Sequence, residues 1–292
     1  MTPPHRGSDS PVPDAVASGL PTSGTNFVED YVIPSDVAAT MAVNGAKKGA
    51  LSAKDIMIRG FMSGMLLAFA TALSMRVIAD GAPPYVGALL FPVGFVVVVL
   101  LGFELLTSNF SLLPSAIFNG QTTMSRLARS WSLVFVANLL GALTFAFLFY
   151  WSTTKFGHVD GGDIGATIVE RAEAKTLAYK HVGVAAGLGS AFIKAVLCNW
   201  MVSTGTVMAL VSTSVIGKIA GIWLPIFAFF ALGLEHSVVN MFLIPAGILF
   251  GHTITVGDWW LWNQLIVTLG NIVGAVVLVA MVMYYTHAVR ED

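Results

Sequence analysis

Residues 85–119 and 219–251 are two apolar runs, each too long to cross a bilayer as one straight helix and too alike to be unrelated. A membrane helix takes about 20 mostly apolar residues at ~1.5 Å each, so either run overshoots a hydrocarbon core of ~30 Å by more than half. Each must therefore break, bend or tilt. Slid against itself by 131 residues, the chain repeats Leu101-Gly102-x-Glu104, Asn109, Leu112, Pro114, Ile117 and Gly120 as Leu232-Gly233-x-Glu235, Asn240, Leu243, Pro245, Ile248 and Gly251. A second echo sets Asn138-Leu139-Leu140-Gly141-Ala142 against Asn271-Ile272-Val273-Gly274-Ala275.

The same length rule gives six spans, near 57–79, 85–119, 127–153, 184–213, 219–251 and 259–286. The repeating unit is three spans. Because three is odd, the second copy enters the membrane from the opposite side, the inverted-repeat plan of many transporters and channels. The fold class is an all-α membrane protein of two inverted three-helix repeats, about 50–153 and 180–287, with broken second and fifth helices. The breaks are expected near Leu105–Ser108 and His236–Val239. Broken backbone at membrane depth survives only where protein buries it or water reaches it, so the two breaks mark a pathway.

Composition narrows the function. The chain is 56% apolar and 11% charged with a net charge of −1, which fits a bilayer partner and gives no basic surface for nucleic acid. The single cysteine, Cys198, makes no intramolecular disulfide and reads as a packing residue. No cofactor motif stands out, and most histidines fall in tails, loops or span ends. Residues 1–45 read as a polar tail, ending in a short amphipathic surface helix over about Asn26–Asn44; residues 46–288 form the membrane domain. Lys47, Lys48, Lys54, Arg59, Arg126, Arg129, Lys218 and Arg290 fall at span ends on one side. By the positive-inside rule that side is cytoplasmic and holds both termini. Thr154–His181 is then an outer loop.

Several polar residues lie at membrane depth. Glu104 and Glu235 repeat just before each break, which favours a structural role, accepting hydrogen bonds from the loop and the next half-helix. His236 has no counterpart, since Leu105 stands at the equivalent place. A side chain that titrates near neutral pH, beside an intramembrane Glu at a helix break, points to proton handling or substrate binding rather than packing. Thr107 offers a hydroxyl at the first break, with loop capping as the plainer reading. Asn199 is a further candidate for the path, whereas Asn138 and Asn271 read as glue between helices. Lys194 either snorkels or lines a vestibule.

The runs Gly102-Phe-Glu-Leu-Leu-Thr-Ser-Asn109, Lys194-Ala-Val-Leu-Cys-Asn-Trp200 and Gly233-Leu-Glu-His-Ser-Val-Val-Asn-Met241 together closely resemble the formate/nitrite transporter family, in order, from about Asn44 to Tyr285. The resemblance implies an aquaporin-like fold, a homopentamer with one pore per protomer, no enzymatic activity and a bacterial inner-membrane location. It implies a cytoplasmic constriction of Leu105, Phe95 and Phe229 and a periplasmic one of Phe91, Leu106 and Val202. His236, Thr107 and Asn199 line the chamber between them, and Glu235 and Asn240 hold the histidine and the broken fifth helix. Lys180, ahead of Lys175, is taken as the outer vestibule lysine, with Lys47 or Lys48 inside.

Two apolar rings strip water from a bare anion at a cost of several kcal/mol or more, which favours a small, compact weak acid that can cross with a shared proton. Formate leads, followed by nitrite, then hydrosulfide or a slightly larger carboxylate. A membrane enzyme using Glu104, Glu235 and His236 is the rival from another class; it lacks further ligands or a cofactor motif. A water or glycerol channel lacks the Asn-Pro-Ala signature.

Overall fold

The computed structural model describes residues 30–287, all but wholly helical. Four helices are long and apolar enough to cross a membrane: α2 (Ala53–Ala79), α6 (Met124–Thr153), the stretch Val184–Met208, whose regular part is α9 (Gly189–Met208), and α12 (Val256–His287), which carries two π-helical stretches. Between them lie shorter pieces. The second apolar run is α3 (Pro84–Leu90), α4 (Pro92–Leu100) and α5 (Leu106–Phe118); the fifth is α10 (Val215–Ala231) and α11 (Ser237–Gly251).

The Leu-Gly-x-Glu motif explains why these runs break where they do. Gly102 and Gly233 both adopt positive φ, at 66° and 63°. In the first run the Phe103 amide donates to Val98 O (2.9 Å) and the Gly102 amide to Val99 O; in the second, Leu234 donates to Phe229 O (3.2 Å) and Gly233 to Phe230 O. This is a Schellman stop, which a glycine in the left-handed region makes without steric cost. Residues 103–105 and 234–236 then run extended before the next helix starts.

The breaks thus fall at 101–105 and 232–236, not at Leu105–Ser108 and His236–Val239 as the repeat alone suggests. Residues 106–108 and 237–239 already belong to the first turns of α5 and α11. Those turns form because Asn138 and Asn271, one from each neighbouring long helix, accept from the amides of Leu106 and Ser237. A capping group from a distant segment fixes the helix start.

Long helices pair closely through small residues. Gly141 of α6 lies so near Phe61 O of α2 that a β-carbon there would clash with backbone, and Gly274 of α12 stands likewise against Val196 O of α9. This is close helix approach of the kind membrane interfaces use.

Two surface helices differ from expectation. Helix α1 (Pro34–Gly49) runs across the boundary drawn at residue 45, and residues 1–29 of the proposed tail lie outside the described residues. Rather than lying free, α1 buries Val37, Met41 and Gly45 against α5 and neighbouring helices. The expected loop Thr154–His181 contains α7 (Gly162–Ala174) and α8 (Leu177–Val182). Helix α7 buries Ile164, Ile168 and Ala172 beside α11, much as α1 sits on α5. Helix α7 carries Asp163, Glu170, Arg171 and Glu173, too many charges to stand out by hydropathy.

Candidate functional site

The extended stretches bring Thr107 of α5 and His236, just before α11, into contact at the centre of the protein. His236 is 1% exposed. Its Nδ1 accepts from the Val239 amide at 3.1 Å, capping α11. A neutral imidazole that accepts at Nδ1 carries its proton on Nε2, so the 3.1 Å contact with Thr107 Oγ1 is a bond that His236 donates. The Thr107 hydroxyl keeps its own proton for another acceptor. Asn199 of α9 closes the third side: its Nδ2 donates to Thr107 O (3.2 Å) and to Asn271 O (2.8 Å), while its Oδ1 is buried with no partner.

Two carboxylates anchor this centre. Glu104 accepts from Lys48 Nζ and Asn109 Nδ2, both at 2.8 Å. Glu235 accepts from Tyr179 Oη (2.7 Å), Asn240 Nδ2 (2.8 Å), Lys175 Nζ (3.0 Å) and Asn263 Nδ2 (3.1 Å). Neither takes a backbone amide of the broken loop, contrary to the role read from the repeat; the amides go to Asn138 and Asn271 instead. Each Glu ties a surface segment, 48 or 175–179, to a half-helix. A buried carboxylate with this many donors is satisfied in place.

A cavity opens toward the centre from each face. On the α1 side, about 610 Å³ is lined by four cations, Lys47, Lys48, Arg59 and Lys218, with Glu104, Leu105, Ser108 and Thr206 at its floor. On the α7 side, about 120 Å³ is lined by Arg171, Lys175, Phe229, Phe230 and His236. No residue lines both. Leu106, Thr107, Asn199, Val202, Phe91 and Phe95 are fully buried and line neither cavity.

This regroups the two constrictions. Phe229, assigned with Leu105 and Phe95, lies instead with Phe91 on the α7 side, ring centroids 5.7 Å apart and edge to face, and it stacks on His236 at 5.4 Å and 19°. The reason is direction: α10 runs from the α1-side cavity at Val215 and Lys218 to the α7-side cavity at Phe229. Leu105 borders the α1-side cavity, and the Val202 carbonyl accepts from Thr206, which lines that same cavity.

Lys180 and Lys175 are also separated. Lys180 pairs with Asp258 at 2.8 Å and lines neither cavity, whereas Lys175 reaches Glu235 and the Leu234 carbonyl. Lys194 sits over the Tyr179 ring at 5.6 Å. Tyr179, Asn263 and Arg171 escaped the sequence reading. Asn263, beside Gln264 in an otherwise apolar span, carries the one signal that was available, a pair of amides at membrane depth.

Comparison with known proteins is consistent along most of the chain. The family model described as formate/nitrite transporter matches residues 35–285, which takes in α1 as well as the membrane helices. A probable formate transporter of Methanothermobacter thermautotrophicus is 35% identical over 266 residues, covering 87% of this chain and 96% of that one. Among solved structures, one described as an FNT family ion channel superposes with a TM-score of 0.72 at 25% identity, covering 86% of this chain and 98% of the other. A pentameric formate channel with formate bound superposes at 0.66 and 25% identity, covering 80% and 96%.

Proposed function

The chain belongs to the formate/nitrite transporter family and is a membrane transport protein rather than an enzyme, and from that premise we propose that it conducts small monovalent weak-acid anions, formate first. The observation that carries this reading is the Thr107–His236 pair, buried between two cavities that each carry cations. Anions gather in such vestibules and meet a barrier too apolar for a bare charge.

In this proposal the chain forms six membrane-crossing segments in two inverted halves on an aquaporin-like plan. Matched stops at Gly102 and Gly233 and matched caps from Asn138 and Asn271 support it. The α1 face is cytoplasmic, both termini lie there, and the protein is a pentamer with one pore per protomer in a bacterial inner membrane. The pentameric relative supports the assembly.

Formate gathers near Lys47, Arg59 and Lys218, or enters from the α7 side. At the centre it accepts a hydrogen bond from the Thr107 hydroxyl, which the neutral His236 polarises by donating to the Thr107 oxygen. The Thr107 hydroxyl proton passes to formate as His236 Nε2 gives its proton to the Thr107 oxygen, and water in the cavity restores the Nε2 proton and leaves its hydroxide there. The substrate then passes Leu105, Leu106 and Val202 on one side, or Phe91 and Phe229 on the other, as formic acid. Asn199 orients Thr107, and Glu235 and Asn240 hold the loop that carries His236. The direct test uses purified protein in liposomes under an imposed pH gradient, with formate, nitrite and hydrosulfide compared. Saturable formate flux that follows the gradient supports the proposal; absence of formate flux overturns it. Nitrite or hydrosulfide flux exceeding formate would reassign the substrate within the same site.

A further inference from the structure

Arg171 lies one helical turn before Lys175, on the same face of α7, and both line the α7-side cavity with Phe229 and His236. Their situations differ. Lys175 is engaged by Glu235 and by the Leu234 carbonyl, so its charge is already answered. Arg171 takes part in none of the four ion pairs among the described residues, and its Nε is buried without a hydrogen-bond partner. Glu173, two residues on, instead accepts from Thr253 at 2.7 Å. A partly buried guanidinium with an unmet donor, lining the same cavity of about 120 Å³ as the central histidine, is placed to take a ligand from that cavity.

We infer that Arg171 captures the anion at the α7-side mouth and that its planar fork selects anions presenting two oxygens side by side. The inference rests on the formate reading above and names the residue that sets specificity within it. The chemistry favours Arg over Lys here. A guanidinium donates two parallel hydrogen bonds to a carboxylate-like group, whereas an ammonium is a point charge that a spherical anion satisfies equally well. Its weaker hydration also makes transfer of the anion inward less costly. Lys175, locked on Glu235, holds the mouth in shape and keeps the local field positive.

The test is uptake of labelled formate from outside by cells that lack their own formate carriers and express the full chain. In the unaltered protein nitrate, planar but not protonated near neutral pH, should compete with formate, while chloride at equal concentration should not. This arm needs no variant. In Arg171→Lys the half-saturating formate concentration should rise about tenfold with little change in maximal rate, and the preference for nitrate over chloride should vanish. Arg171→Gln should raise half-saturation further. Equal competition by chloride in the unaltered protein would overturn the inference, as would Arg171→Lys keeping both its half-saturation and its nitrate preference. Loss of all saturable formate uptake in the unaltered protein would instead strike the proposed function, so the two failures are distinct.

Discussion

Asn138 and Asn271 hold matching sets of three backbone groups at the two helix breaks. Asn138 Nδ2 donates to Gly60 O (2.8 Å) and Glu104 O (2.9 Å), and its Oδ1 accepts from Leu106 N (3.0 Å). Asn271 does so to Ala195 O (2.8 Å), Glu235 O (2.9 Å) and from Ser237 N (2.8 Å). One amide thus ties together a long helix, the extended break and the start of the half-helix beyond it.

Replacing either Asn by Ala should destabilise the protein strongly, because all three backbone groups are left at membrane depth without partners. Each such group costs about 1–3 kcal/mol. Asn138→Ala and Asn271→Ala should each lower the midpoint of thermal unfolding in detergent, whereas Asn119→Ala, at a surface helix end, should not. An unchanged midpoint in both central variants would show that water replaces the amide.

Much of this architecture was legible because its causes are local. Gly102 and Gly233 stop a helix by backbone conformation, and a stop leaves its mark as a repeated Leu-Gly-x-Glu. The start of the following half-helix was placed about three residues late, because Asn138 and Asn271 repeat in the sequence but nothing along the chain says which distant amides they accept from. The same limit applies to the vestibule lysine. Thr176 leaves helical geometry, at φ −132° and ψ −76°, and this turn between α7 and α8 sends Lys175 to Glu235 and Lys180 to Asp258. Spacing along the chain cannot distinguish two lysines five residues apart across such a turn. His236 drew notice for the opposite reason, as a titratable side chain beside Glu235 where the other copy of the repeat has Leu105.

The Phe91–Phe229 pair should set the size limit on the α7 side. Phe229→Ala removes the ring that stacks on His236 and meets Phe91, so it should raise passage of lactate relative to formate. Phe91→Ala should act in the same direction, and the double variant should gain less than the two effects added, since the residues share one contact. Liposome flux of formate, acetate and lactate measures this; unchanged size selectivity in both single variants would remove the pair from the path.

Acid should release the segment before α1. The Asp30 carboxylate accepts from the Ser212 hydroxyl and from the amide and hydroxyl of Ser214 and of Thr213, and these bonds, led by Ser212, hold it well below the usual carboxylate range. A carboxyl whose folded-state pKa is depressed adds stability above its unfolded pKa of about 4 and loses it as pH falls below that value. The Val32 amide, which donates to Val211 O at 2.7 Å, reports the attachment. Its hydrogen exchange, corrected for the intrinsic pH dependence, should be slow at pH 7 and speed up below about pH 4. Asp30→Asn should speed it at pH 7 as well. Protection that is the same at both pH values would mean that Tyr31 and Val32 are held by other contacts.

His236 has two separable roles, and two substitutions distinguish them. It caps α11 by accepting from the Val239 amide, and it donates to Thr107 in the path. His236→Phe keeps the volume near Phe229 but loses both, so it should cost about 1 kcal/mol from the lost cap and remove the pH dependence of formate flux beyond that of the acid itself. His236→Asn can still cap α11, because a short amide accepts from the same amide position, but it does not titrate. If the cap is all that matters, the Asn variant should behave as the unaltered protein while the Phe variant is merely less stable. If His236 handles the proton, both variants should assemble, only the Phe variant should show a lowered unfolding midpoint, and both should lose the pH dependence. Flux measured from pH 5 to 8 in liposomes, beside thermal unfolding of the same preparations, separates the outcomes. An Asn variant that retains the original pH profile would reduce His236 to a helix cap.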